Sequence, residues 1–180
     1  MYVVHQTMQR KDILALLRGG DRRTIGRSDE VAAMVCNDPK LFPELIAGLW
    51  STDSLVRMRS ADAAEKVTRM HRELLKPYKK ELLGLMSEAG EQELRWHLAA
   101  MVPRLPLNAR ERGLAISLLK SYLEDRSSIV KTFALQGLAD LARDDPGIRP
   151  GVVEILREAA RSGTPAMKAR GRKLLLRLRH

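Results

Sequence analysis

Cysteine is nearly missing from this chain: Cys36 stands alone among 180 residues. One thiol excludes an internal disulfide framework and a thiolate metal cluster, and it fits a reducing, cytoplasmic setting. As a lone thiol, Cys36 is expected to be a small buried hydrophobe. Aromatic residues make up only 4%; a chain rich instead in Leu, Ala, Arg and Glu suits packed helices better than sheets. The opening MYVVHQTMQRKDILALLRGGDRR has no apolar stretch long enough for a signal core, and no run elsewhere approaches a membrane span. A soluble protein that is not exported and binds no membrane is therefore expected.

Catalytic patterns are equally scarce. His5, His71, His97 and His180 include no pair at metal-ligand spacing, and no carboxylate cluster completes a site. There is no Gly-rich phosphate loop, nucleophile elbow or HExxH. Acid pairs such as Glu124-Asp125 and Asp144-Asp145 fall at predicted helix ends, where turn and capping roles account for them. No catalytic residue, metal or cofactor is expected.

What the chain does have is a repeat. Aligning an apolar residue followed by a basic one gives Val56-Arg57, Leu94-Arg95, Val130-Lys131 and Met167-Lys168, with successive copies 38, 36 and 37 residues apart. Small or apolar residues follow each pair at matching helical offsets: Ser60, Ala61 and Ala64; Leu98, Ala99 and Val102; Ala134, Leu135 and Leu138; Gly171 and Leu175. Between these helices lie others, over 39–50, 72–86, 109–124 and 148–161, each with Leu, Ile or Val at three- and four-residue steps. The unit is a helical hairpin, and the fold class is all-α. Asp38-Pro39, Asn108, Asp145-Pro146 and Thr164-Pro165 read as helix starts. Pro77 interrupts an otherwise helical run, so a kink or a detached first turn is expected there.

A period of 36 to 38 residues, with an Asp-x-x-Val-Arg start to the second helix, resembles the HEAT repeat family. Asp53, Val56 and Arg57 match that pattern best; Glu91, Leu94 and Arg95 form the second copy; Ser127, Val130 and Lys131 the third; Met167 and Lys168 the loosest. The resemblance implies a right-handed α-solenoid of about four hairpins, over 39–70, 71–106, 107–144 and 145–180, after a degenerate N-terminal cap hairpin over 1–38. It also implies second helices lining a concave side, and an inter-repeat ladder joining each Arg to a turn carboxylate. The start at Met1 fits a complete chain; so basic a last helix fits equally an array cut before its next neighbour.

The net charge is +10, but residues 164 to 180 hold six Lys or Arg and no acid, so the preceding 163 residues carry only +4. Two readings of the recurring cations follow. Arg57, Arg95, Lys131 and Lys168 either hold the stack together or, with Arg59, Trp96, His97 and Arg170, face a partner across the concave side. Arg172, Lys173 and Arg177 extend that positive surface on the last helix. The expected function is non-catalytic binding of an acidic partner, a protein segment or a nucleic acid, by a scaffold for which a monomer is the expectation. The alternative is a DNA-binding repair protein similar to the HEAT-like alkylpurine glycosylases. Trp96 and His97 invite that comparison, while Ala100 stands where that family carries an essential Asp.

Overall fold

Side-chain caps decide where several helices begin. Asp53 Oδ1 accepts from the backbone amides of Leu55 at 2.8 Å and Val56 at 3.4 Å. The hydroxyls of Ser127 and Thr164 each accept, at 3.4 Å, from the amide three residues on. Asn108 and Glu111 exchange side-chain-to-backbone hydrogen bonds in a capping box. Each such cap satisfies amides that have no partner inside the helix, and is worth about 1 kcal/mol.

The computed structural model describes residues 12–178 other than Arg22. Among them are nine α-helices: α1 Ser28–Asn37, α2 Phe42–Ala47, α3 Ser54–Met70, α4 Lys79–Glu88, α5 Gln92–Met101, α6 Ala109–Tyr122, α7 Ser128–Arg143, α8 Arg149–Ser162 and α9 Pro165–Arg177. Short 3-10 segments lie at Ala15–Leu17, Pro39–Leu41, Gly48–Trp50, Arg72–Tyr78 and Val102–Arg104. The described residues contain no strand, as an all-α chain requires.

Local chemistry explains three departures from the expected boundaries. The run 72–86 is divided: Pro77 lies within the 3-10 segment and α4 begins two residues later, because a proline mid-helix removes a hydrogen bond and clashes with the preceding turn. Asp145 does not cap α8. Its Oδ1 accepts from Gly147 N at 2.9 Å in a turn, and the helix starts at Arg149 with Pro150 in its first turn. The expected hairpin over 1–38 is, in its described part, one α-helix and one 3-10 turn joined by a loop in which Gly19, Gly20 and Gly26 have positive φ; residues 1–11 lie outside the described residues.

The second helices contact one another in chain order, α1 with α3, α3 with α5, α5 with α7, and α7 with α9. Each of the last four also packs on the helix before it: α2 on α3, α4 on α5, α6 on α7 and α8 on α9. Small residues permit the close approach. Ala61, Ala64 and Ala99 are fully buried in a continuous core that includes Leu98, Leu119, Leu135 and Leu138. Cys36 is half-buried and packs against that core.

Gly137 marks the tightest of these approaches. A Cβ there would stand 2.7 Å from the Ala99 carbonyl oxygen on α5 and 2.9 Å from Leu119 Cδ2 on α6. Backbone on a packed helix cannot step aside, and overpacking costs about 1–3 kcal/mol, more than the ~1 kcal/mol that alanine gains over glycine in a helix. Gly137→Ala should therefore lower the unfolding free energy by about 1 kcal/mol. Gly113→Ala on α6, where nothing lies within 4 Å of the added carbon, should raise it by a similar amount. Urea unfolding of the two variants checks both signs.

Candidate anion-binding cleft

At the N-terminal ends of the second helices, the cations are already engaged. Arg57 on α3 grips the Glu91 carboxylate through Nη2 and, at 3.3 Å, through Nε, while its Nη1 donates to Ser51 O at 2.6 Å. Arg95 on α5 donates to Asp125 Oδ2 at 2.5 Å and to Ala89 O at 2.7 Å, and its guanidinium lies 5.4 Å from the Tyr122 ring centroid. These are two rungs of an inter-helix ladder. Lys131 and Lys168 make no ion pair within 4 Å among the described residues. At the junction of α7 and α9 the Ser128 and Thr164 hydroxyls pair at 2.8 Å instead.

Arg59 was expected to face a partner and does not. It is 1% exposed, and its guanidinium donates to the carbonyls of Leu17 at 2.8 Å, Gly19 at 2.5 Å, Asp21 at 3.0 Å and Thr24 at 3.4 Å. A Cβ on Gly26 would meet its Cζ at 2.7 Å. The side chain thus ties the loop before α1 to α3, using donors that fit a ring of carbonyls.

His97 and Trp96 are likewise structural in position. His97 is buried, with Nδ1 donating to Glu93 O at 2.5 Å and Nε2 facing Asp62 Oδ1 at 3.5 Å. Asp62 also accepts from Ser28 Oγ at 2.5 Å and Lys66 Nζ at 2.6 Å, and Lys66 reaches Asp29 on α1 at 2.5 Å. Burial opposes the Asp62 charge, yet His97, Lys66 and Ser28 outweigh it and hold the carboxyl well below the usual range. Trp96 is half-buried, stacked on His97 with centroids 3.3 Å apart and packed on Phe133 at 4.9 Å.

On α9, Leu174 is buried and Leu175 and Leu178 pack against the core, as the helical spacing predicts. Arg170 donates to Gln136 Oε1 at 2.9 Å and lies over the Phe133 ring. Arg172 and Lys173 are exposed. Arg177 points elsewhere, to within 3.9 Å of Asp140 Oδ1 on α7.

That contact belongs to the largest cavity found among the described residues, a cleft of about 800 Å³. The C-terminal ends of α3, α7 and α9 and the segment after α5 converge on it, bringing together Arg69, Arg72, Lys76, Arg104, Arg143 and Arg177 against Glu73, Asp140 and Asp144. Of the expected contact residues, only Arg177 lines it. Four of the cations, Arg69, Arg104, Arg143 and Arg177, recur 35, 39 and 34 residues apart, once at the end of each second helix or the segment after it. That period was readable; the early alignment followed helix starts and passed over the matching ends. Cations at helix C-termini also complement the backbone dipole, which favours them locally.

Glu65 fixes two of these cations. Its buried carboxylate takes Arg69 Nε at 3.0 Å and Nη2 at 2.6 Å, and it also binds Arg104 Nη2. Arg104 Nη1 adds bonds to Glu65 O at 2.8 Å and Thr68 Oγ1 at 2.9 Å. Burial works against the Glu65 charge, but the two guanidiniums prevail and hold its carboxyl below the usual range. Arginines held this way are pre-positioned to meet an anion, with less side-chain freedom to lose on binding.

In comparisons with known proteins, no family model and no curated protein matches this chain. The described residues hold no group of three or more His, Cys, Asp and Glu placed to bind a metal, and no described helix is long and apolar enough to cross a membrane.

The depressed Asp62 and Glu65 carboxyls set the sign of an acid effect. Each contributes stability that is complete above the unfolded carboxyl range, near pH 4, and is lost as the pH falls through the lower folded value. Unfolding free energy measured by urea titration should therefore drop between pH 5 and pH 2. Asp62→Asn should lose about 2 kcal/mol at pH 7 and show a flatter pH dependence below pH 5.

Proposed function

We propose that this chain is a HEAT-like α-solenoid that binds an acidic macromolecule, without catalysis, in the cleft at the C-terminal ends of its second helices. The observation that carries this reading is the recurrence of Arg69, Arg104, Arg143 and Arg177 once per repeat on one cleft. A ladder that only stitched repeats together would consume its cations, as Arg57 and Arg95 are consumed. In the cleft, the Arg69, Arg143 and Arg177 side chains remain 62%, 59% and 49% exposed. Five of the six cleft cations are arginines, whose planar forks suit phosphate and carboxylate oxygens. The serial contacts of the second helices support the solenoid reading, since one hairpin cannot bury its apolar face alone. A glycosylase reading has less to rest on: Trp96 is packed against His97 and Phe133, and Ala100 follows it at the family's carboxylate position.

Fluorescence anisotropy with a labelled oligonucleotide and a labelled acidic peptide, titrated from roughly 50 to 200 mM salt, tests the proposal. Affinity for the true ligand should fall with salt. Arg72→Ala, Arg143→Ala and Arg177→Ala should each weaken it, and for a nucleic acid each should reduce the log-log salt slope by about one. Arg57→Ala and Arg95→Ala should lower thermal stability and leave affinity nearly unchanged. Binding insensitive to all three cleft variants would sink the assignment.

A further inference from the structure

The cleft is not uniformly basic. Its exposed cations stand at the rim, while a half-buried carboxylate, Asp140, lies further in, its side chain 31% exposed. A site meant only for phosphate has no use for that group, because a fixed negative charge repels an anion placed beside it.

Asp140 is also held in position. Arg170, lying over Phe133, donates to Gln136 Oε1 and so orients the amide; Gln136 Nε2 then donates to Asp140 Oδ1 at 2.9 Å. Arg177 stops 3.9 Å from the same oxygen. The second oxygen, Oδ2, receives no hydrogen bond among the described residues. Burial raises the Asp140 carboxyl above its ordinary range, and Gln136, Arg177, Arg143 and Arg104 offset that only in part. A carboxylate takes up several donors when it can, and here the remaining donor has to come from whatever fills the cleft.

We propose that Asp140, oriented by Gln136, makes the cleft selective for single-stranded nucleic acid, with phosphates on the rim arginines and a base amino group donating to Asp140 Oδ2. The assignment rests on the anion-binding reading above and goes further by naming the ligand's chemistry. In a nucleic acid, phosphates and base donors lie on opposite sides of the sugar, so a rim of cations around an inner acceptor matches both. In an acidic peptide, carboxylates and amide donors crowd along one strand, and a carboxylate at depth meets others like itself. Duplex offers less, since pairing already occupies most amino donors. The cleft volume of about 800 Å³ is within the range of sites that enclose a small ligand.

The test compares two labelled strands of about twelve nucleotides, within the span such grooves cover: deoxycytidine throughout, and the same phosphodiester backbone without bases. The wild-type chain should bind the cytidine strand about tenfold more tightly, the value of one hydrogen bond to a charged group. Asp140→Asn should abolish that preference while binding the baseless strand as well as, or better than, wild type. Asp140→Ser, which removes the carboxylate by shortening the side chain, should behave alike. Equal wild-type affinities, or a preference that survives both substitutions, would overturn the role of Asp140 and leave the basic cleft standing. Failure of wild type to bind either strand at roughly 50 mM salt would remove the nucleic-acid assignment outright and return the cleft to acidic peptides.

Discussion

The second helices lie against one another with almost nothing between them. At the contact of α5 and α7 the Ala99 carbonyl leaves no room for a methyl on Gly137, and at the contact of α8 and α9 Gly171 sits equally close to the Leu156 carbonyl, 3.0 Å from where a Cβ would be. Such spacing requires small residues at one position in each helix. It also holds neighbouring second helices at a common level, so that chemically similar ends meet. A residue recurring at the start of the helix becomes part of one surface, and a residue recurring at its end becomes part of another.

The two surfaces have different fates because their charges balance differently. Near the helix starts, Arg57 and Arg95 find Glu91 and Asp125 supplied by the following turns, and the charges cancel in place. Lys79 with Glu111, and Arg112 with Asp145, do the same between the first helices. Near the helix ends the cations outnumber the acids, and the most buried acid, Glu65, neutralises part of the charge while fixing the geometry of the rest. Unbalanced charge on pre-positioned groups is what an anion can use.

Much of the helical framework was legible in the sequence. Capping residues Asp53, Ser127 and Thr164 marked helix starts because their side chains have one simple job, and Pro77 marked the break before α4. The small residues at Ala61, Ala64 and Ala99 announced close packing. The site was far less legible. Arg57 and Arg59 look alike in the sequence, yet one reaches a carboxylate on the next hairpin and the other is swallowed by the carbonyls of a loop more than thirty residues away. That distinction depends on how the loop over 17–24 folds back, which no local pattern encodes. His97 and Trp96 misled for the same reason: polar and aromatic side chains attract functional readings, whereas here they fill the space between α3, α5 and α7. The cleft arginines were hidden in plain view, spread one to a repeat, and only the convergence of distant helix ends gathers them.

Hydrogen–deuterium exchange footprinting with a saturating single-stranded oligonucleotide tests the central claim most directly. The account predicts slowed exchange at the helix ends, around residues 66–78, 101–106 and 138–145, with little change near 53–58 and 91–96. Protection concentrated at those helix starts, with the cleft segments unchanged, would contradict it.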